Sequence, residues 1–218
     1  MKIKSRLIGS AACIIAALAL SNLSTQAAVN VLVDPNFDLG VGWSTFNGAH
    51  YDNTGPTLTA PNSMNLVTLN NVPGAFEQFP AVAGDAWAAS GFGITPSPLL
   101  GAPFGGASFG GLQITFFSAA NVNLGTVETS PGNALFSNQI NETSPAGQWI
   151  PLAVTAHAPA GTAYGQVFAI MIDFGSPAPE GIYVDNMSMT ITSVPEPSSI
   201  ALLGMGLTGA ICAWRRRK

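Results

Sequence analysis

The sequence predicts an all-β domain, a two-sheet antiparallel sandwich, on three observations. Short runs rich in Val, Ile, Phe and Thr recur between Val29 and Ser193, separated by Gly, Pro, Asn and Ser clusters, the pattern of strands joined by turns. No stretch between those bounds reads as a helix. About nine such runs suit two packed sheets better than a small closed barrel.

Taken in order, the expected strands are Val29–Val33, Ser63–Leu69, Ala75–Phe79, Ala86–Ile94, Leu112–Ser118, Leu124–Glu128, Trp149–Ala156, Gly165–Phe174 and Ile182–Ile191. Each is a β-branched or aromatic run with a breaker at its edge. Thr95 to Gly111 is too rich in Gly and Pro for regular structure and reads as a long surface loop, with Leu99, Leu100 and Phe104 packing part of it. Asp173, followed by Phe174-Gly175-Ser176-Pro177, ends a strand, and Ser176 to Gly181 is a turn. No repeat of 20–50 residues is apparent.

The two ends differ from this middle. Lys2, Lys4 and Arg6 precede an apolar run from Leu7 to Leu20 and the small residues Ser24-Thr25-Gln26-Ala27-Ala28, so residues 1–28 are expected to be a signal peptide cut by signal peptidase. Residues 29–192 form the sandwich, and 193–218 a sorting and anchor segment. Val194-Pro195-Glu196-Pro197 is held extended by its prolines. Ser198 to Trp214 follows without a charge, and Arg215, Arg216, Arg217 and Lys218 close the chain. A charge-free run ending in a basic cluster reads as a membrane-inserted helix with its basic end left in the cytoplasm. From Ser199 to Trp214 such a helix rises about 24 Å against a hydrocarbon core of roughly 30 Å, a marginal span suited to a temporary transmembrane anchor.

All seven basic residues lie in these ends, so Val29–Ser193 has no Lys or Arg and keeps ten acids: Asp34, Asp38, Asp52, Glu77, Asp85, Glu128, Glu142, Asp173, Glu180 and Asp185. Ten acids against no bases leave the domain near −10, where the whole chain carries −4. That excludes nucleic acid as a partner, because binding it requires cations set against phosphates. Anionic lipid is disfavoured equally, while divalent cations and neutral sugars are compatible. Both cysteines, Cys13 and Cys212, lie in the termini, so the domain is expected to stand without a disulfide. At about 165 residues it buries around 70% of its unfolded surface, enough for one core.

The three-part C-terminus resembles the PEP-CTERM sorting signal of bacterial exported proteins. The resemblance implies processing near Pro195-Glu196-Pro197 by an exosortase-like membrane enzyme and delivery to the cell envelope or extracellular matrix, with an uncleaved membrane anchor as the alternative. The middle region resembles galactose-binding-like jelly rolls, which include many carbohydrate-binding modules. The parallels run in order through Asn36-Phe37-Asp38, Gly42-Trp43, Glu77-Gln78, Ala83-Gly84-Asp85, Trp87-Ala88-Ala89-Ser90, Leu112 to Phe117, Gly147-Gln148-Trp149, Ala158 to Thr162 and Gly181 to Asn186. This resemblance implies a jelly-roll sandwich in which a first-strand acid and a last-strand Asp hold structural calcium.

Asp34, Asn36 and Asp38 put three oxygen side chains at alternate positions, and pairing of the first and last strands would bring Asp185 to them as a calcium set. The competing reading is a turn in which Asp and Asn cap backbone groups. A sugar site needs an aromatic face beside amides or acids. His50, Tyr51, Asp52 and Asn53 form the polar stretch first expected to bind extracellular polysaccharide. Trp43, Trp87, Trp149, Tyr164 and Tyr183 are further aromatics, and core packing is the competing role for the tryptophans. A structural matrix protein without a ligand is the alternative function.

Catalysis is not expected. Gly106-Ala107-Ser108-Phe109-Gly110 fits G-x-S-x-G, with His157 downstream, but lacks the strand-turn-helix context of a nucleophile elbow. His50 and His157 have no metal-binding spacing. Glu77 and Glu142 are not placed together by any spacing.

Overall fold

The computed structural model describes residues 29–67, 71–95, 108–128, 139–141, 144–172 and 181–193, and its regular structure is entirely β. The expected signal segment, the Val194–Pro197 motif and the basic cluster lie outside the described residues. Among the described residues no helix is long and apolar enough to cross a membrane.

Ten strands are present: β1 (Ser44–Phe46), β2 (His50–Asp52), β3 (Ser63–Asn65), β4 (Gly74–Pro80), β5 (Ala86–Ile94), β6 (Phe109–Phe117), β7 (Asn123–Glu128), β8 (Ile150–His157), β9 (Tyr164–Ile172) and β10 (Tyr183–Thr192). They form two five-stranded sheets, a front sheet in the order β1-β4-β9-β6-β7 and a back sheet in the order β2-β3-β10-β5-β8. Every pairing is antiparallel. The chain is a jelly-roll sandwich.

Period-two alternation packs the two sheets together. Leu112, Ile114 and Phe116 of β6 and Val167, Ala169 and Met171 of β9 are buried, facing Trp87 and Ala89 of β5, Leu152 and Val154 of β8, and Met187 and Met189 of β10. Each such Leu, Ile, Val, Phe or Met contributes about 1.5–3 kcal/mol when fully buried. Trp87 meets Phe116 at 5.2 Å and Phe79 at 6.2 Å, both edge-on. Its ring fits because Gly165 lies beneath it: a Cβ there would stand 2.6 Å from Trp87 Cη2 and 3.0 Å from Phe116 Cδ1.

β5 is found where the sequence placed it, and β4 and β6–β10 lie within three residues of expectation at each end. Val29–Val33 is not a ladder strand. It does run antiparallel beside β10, with Val31 N–H donating to Met189 O at 2.9 Å, but the Asn30 side chain takes the neighbouring places, donating to Met187 O (3.2 Å) and accepting from Met189 N–H (2.9 Å). The strand expected over Ser63–Leu69 stops at Asn65, whose side-chain oxygen accepts from Val67 N–H at 2.8 Å and turns the chain. Phe109–Gly111, expected in a loop, begins β6 because Gly110 exchanges backbone bonds with Ile140 (2.8 and 2.9 Å) and pairs with Met171. Residues 96–107 of that loop and most of the Ser176–Gly181 turn lie outside the described residues. β1 and β2 were not expected.

The sandwich has two unlike ends. The short turns 81–85, 118–122 and 158–163 share one end with the close of β10 at Thr192; the connections after β3, β5, β7 and β9 leave from the other, and that after β2 leaves partway along the back sheet on the Thr192 side.

Gly165→Val drives two methyl groups into Trp87 and is expected to cost about 1–3 kcal/mol of stability by urea denaturation. Gly125→Ala, with open space around its Cβ position, is expected to cost nothing.

Candidate functional site

The acids expected to gather a cation do something else first. Asp34, 2% exposed, accepts from the N–H groups of Asp38 (2.9 Å), Leu39 (2.9 Å) and Gly40 (3.0 Å), while Trp43 Nε1 donates to its carbonyl at 2.9 Å. The chain turns back through Phe37, whose φ of 59° is in the left-handed region. Asp185, fully buried beside the β10 bulge, accepts from Leu58 N–H (2.8 Å), Thr59 N–H (2.7 Å), Thr59 Oγ1 (2.8 Å) and Asn186 N–H (2.6 Å). Capping of backbone groups, the competing reading, therefore accounts for both carboxylates. Asn36 is half-buried in the turn after Asp34, and Asp38 Oδ1 is buried with no hydrogen-bond partner. Among the described residues no group of three or more His, Cys, Asp or Glu side chains is arranged to hold a metal ion.

Glu77, 3% exposed, receives Val33 N–H on both oxygens at 3.3 and 3.2 Å. Burial pushes its carboxyl above the ordinary value, and the Asp34 charge adds to this, while the amides of Val33 and Asp34 pull the other way.

His50, Tyr51 and Asp52 form edge strand β2, followed by exposed Asn53. The Tyr51 ring turns inward, 6.2 Å from Phe37, and its hydroxyl donates to Val41 O at 3.1 Å. Asp52 accepts from Thr54 N–H and Oγ1 (both 2.7 Å) and Gly55 N–H (3.2 Å), and from Asn65 Nδ2 at 2.9 Å, which also reaches the Tyr183 hydroxyl at 3.1 Å. The stretch is thus a structured turn. Of its side chains, His50 and Asn53 are exposed.

An aromatic platform lies elsewhere, on the outer face of the front sheet. The register places Phe76, Phe168 and Gln113 in one row, Gln78, Gln166, Thr115 and Thr126 in the next, and Pro80, Tyr164, Phe117 and Asn123 in a third. The residues between them, Ala75, Glu77, Val167, Ala169, Ile114 and Phe116, are buried, so the rows face outward. Phe76 and Phe168 meet at 5.3 Å, with Phe46 of β1 flanking them at 6.4 and 6.3 Å. Phe117 and Tyr164 are stacked at 5.0 Å and 12°. The two aromatic groups are four residues apart along β9, about 13 Å.

Between them lie amides and hydroxyls joined in two groups, one of which centres on Thr115, itself only 2% exposed beneath its neighbours. Gln166 Nε2 donates to Gln78 Oε1 (3.1 Å), Gln113 Nε2 to Thr115 Oγ1 (2.8 Å), Thr115 and Thr126 hydroxyls lie 3.2 Å apart, and Asn123 Nδ2 reaches Thr126 Oγ1 at 3.2 Å. Such a surface offers rings to apolar ligand faces and fixed donors and acceptors to hydroxyls. The sequence pointed first to His50–Asn53, with Tyr164 only among further aromatics. Trp43 and Trp87 are core residues, at 6% and 1% exposure. The available signal was the repeated period-two pattern Phe76-x-Gln78, Gln113-x-Thr115-x-Phe117 and Tyr164-x-Gln166-x-Phe168.

Ser108 and His157 sit at opposite ends of the sandwich, Ser108 next to Phe109, which pairs with Ile172, and His157 opposite Ala86. They do not form a nucleophile and base.

Residues 193–218 match the family described as the PEP-CTERM protein-sorting motif. The C-terminal segment is therefore a sorting signal, the mark of an exported chain that is membrane-anchored before processing. No curated protein matches the sequence. Among solved structures, the chain is similar to the CBM22-1 xylan-binding domain of Paenibacillus barcinonensis Xyn10C (10% identity, TM-score 0.47, 73% of this chain and 93% of that one). It is also similar to a family 16 carbohydrate-binding module, module 2 (13%, 0.49, 74% and 99%). A third likeness is to the arabinose-bound MgGH51 α-L-arabinofuranosidase (16%, 0.52, 77% of this chain). The chain spans only 27% of that enzyme, and the likeness is one of fold.

Asp52 sets an expected acid response. Burial alone would raise its carboxyl, but the hydrogen bonds from Thr54, Asn65 and Gly55 outweigh it and hold the group well below its ordinary 3.8. A depressed folded value stabilises the fold above the unfolded value and is lost as pH falls below it. Stability is therefore expected to decline below about pH 4, and Asp52→Asn to flatten that decline in urea titrations run at stepped pH. Glu77, raised by burial, works in the opposite sense, favouring the fold as it takes up its proton.

Proposed function

We propose that the chain is an exported module that binds extracellular polysaccharide on the outer face of its front sheet. The observation that carries this reading is the pair of aromatic groups separated by a hydrogen-bonded row of Gln and Thr side chains. A ligand touching both groups must be a chain, since one sugar ring does not span the separation. With no Lys or Arg between Val29 and Ser193, the face suits neutral polysaccharide. The domain binds and does not catalyse.

Signal peptidase releases residues 1–28 and the C-terminal helix holds the chain in the membrane. An exosortase-like enzyme then acts near Val194-Pro195-Glu196-Pro197, delivering the domain to the cell envelope or extracellular matrix. Arg215, Arg216, Arg217 and Lys218 stop translocation.

The reading extends to structural calcium. Asp38 Oδ1 is the carboxylate oxygen near Asp34 and Asn36 left without a hydrogen bond, and backbone carbonyls would complete a hard-oxygen shell. The competing function, a structural matrix protein with no ligand, draws support from the burial of Trp43 and Trp87, while Trp149 is only half-buried.

In affinity electrophoresis through gels containing xylan, galactan or mannan, the processed domain is expected to be retarded by at least one polymer. Tyr164→Ala, Phe168→Ala and Gln166→Ala should each weaken retention roughly tenfold, about 1.4 kcal/mol, while His50→Ala leaves it unchanged. Loss on changing His50 or Asn53 instead would move the site to β2, and no retention by any neutral polymer would favour the structural role. For calcium, a chelator is expected to lower the melting temperature of the parent and not of Asp38→Asn; an unaffected parent would discard the ion.

A further inference from the structure

Both chain ends leave the domain at the end that carries the short turns. β10 finishes at Thr192, opposite Ala86, and Ser193 is the last described residue. Val31 bonds to Met189 on an antiparallel course, which sets Val29 beside the last residues of β10. The three turns 81–85, 118–122 and 158–163 complete this tip and are tied together: Ala81 N–H donates to Ala163 O (3.2 Å), Gly84 N–H to Ala158 O (2.8 Å), Ala158 N–H to Asp85 O (2.9 Å) and Ala163 N–H to Phe117 O (2.8 Å).

The tip is uncharged outside and exposes several apolar side chains beside polar Asn30, Asn121, Thr192 and Ser193. Val29, Val82 and Val122 are 70%, 55% and 57% exposed, and Ala119, Ala120, Ala160 and Ala163 are exposed around them. Its one acid, Asp85, is only 3% exposed and caps Val82 N–H through Oδ2 at 2.9 Å. His157, at the end of β8, is the titratable side chain exposed at its margin. Among the described residues, an acidic domain thus shows no exposed carboxylate at the end from which its C-terminal segment departs, and Glu196 of that segment is the acid next along the chain.

From Ser193 to Ser198, where the charge-free run begins, five residues reach at most roughly 17 Å. While that run is in the bilayer, the tip is held within this distance of the lipid surface. We infer that in the unprocessed chain the tip rests on the outer lipid interface, with Val82 and Val122 entering the headgroup layer and Val29 beside them. This rests on the reading of residues 194–218 as an anchor. Apolar side chains at such depth add binding area, and with no exposed acid among the tip's described residues, repulsion from anionic headgroups is confined to Glu196 of the linker. The contact stands the sandwich on end, with the Phe117–Tyr164 pair of the front-sheet face beside the tip and the Phe76–Phe168 group at the far end of that face.

The test uses the full chain after signal-peptide removal, with Cys212→Ser, reconstituted in vesicles of phosphatidylcholine with a minor fraction of phosphatidylglycerol. Single cysteines at Val82→Cys, Val122→Cys or, as a remote control, Asn53→Cys carry an environment-sensitive fluorophore. A lipid-borne quencher is expected to quench the labels at positions 82 and 122 several-fold more than that at 53. Equal quenching at all three, with the chain floating with the vesicles, overturns the lipid contact and leaves the anchor intact. A chain that does not float overturns the anchor and this inference together. Protection of 82 and 122 that needs added processing enzyme would assign the tip to a protein partner and reject the lipid.

Discussion

Between Val29 and Ser193 the chain has ten acids and no Lys or Arg, so a carboxylate taken into the fold has no cationic side chain to meet it. An unpaired buried charge is strongly unfavourable. Asp34, Asp185 and Glu77 escape this through backbone N–H groups, while Asp38 and Asp85 each keep one buried oxygen without a hydrogen bond. Asp34 takes three, Asp185 three together with a hydroxyl, and Glu77 takes the amide of Val33. Hydrogen bonds to charged groups contribute about 1.5–3 kcal/mol each. Their effect is to fix irregular chain: the turn after Asp34, the loop at Leu58–Thr59 and the N-terminal segment between β4 and β10. The loops of a disulfide-free exported domain are thus held by its own acids.

The same lack of cations shapes the outside. The front-sheet face has no basic side chain with which to grip an anionic polymer, so its interactions are ring contacts and hydrogen bonds. Both depend on register. A one-residue slip between β9 and β6 would send Tyr164, Gln166 and Phe168 inward and Val167 and Ala169 out. The Trp87–Gly165–Phe116 contact on the inner side opposes that slip, since only glycine leaves room for the indole. Core packing and the outward rows are two faces of one register.

Much of this was legible before any coordinates. The fold class followed from strand-like runs and breakers, and β5 from nine residues bounded by Asp85 and Thr95. The sorting signal is a matter of residue order and needed no structure. The approach of the N-terminal segment to β10 was expected, but the Asn30 side chain in place of a ladder is a local choice that composition does not reveal. β1 and β2 are three residues each, too short for periodicity to register. The platform was missed because alternation shows that Phe76 and Gln78 share a face, yet not which face is covered. That depends on which strands become neighbours, and β9 lying between β4 and β6 is decided by the fold as a whole. Core packing, the competing role for the tryptophans, is the one that Trp43 and Trp87 take.

The central claim is that the front sheet's outer face is the binding surface. It is tested most directly by following backbone amide resonances of the processed domain during titration with neutral oligosaccharides cut from whichever polymer it retains. Shifts gathered on Phe76–Gln78, Gln113–Phe117 and Tyr164–Phe168 are the predicted result. Shifts confined to His50–Asn53, or none at saturating sugar, would contradict it.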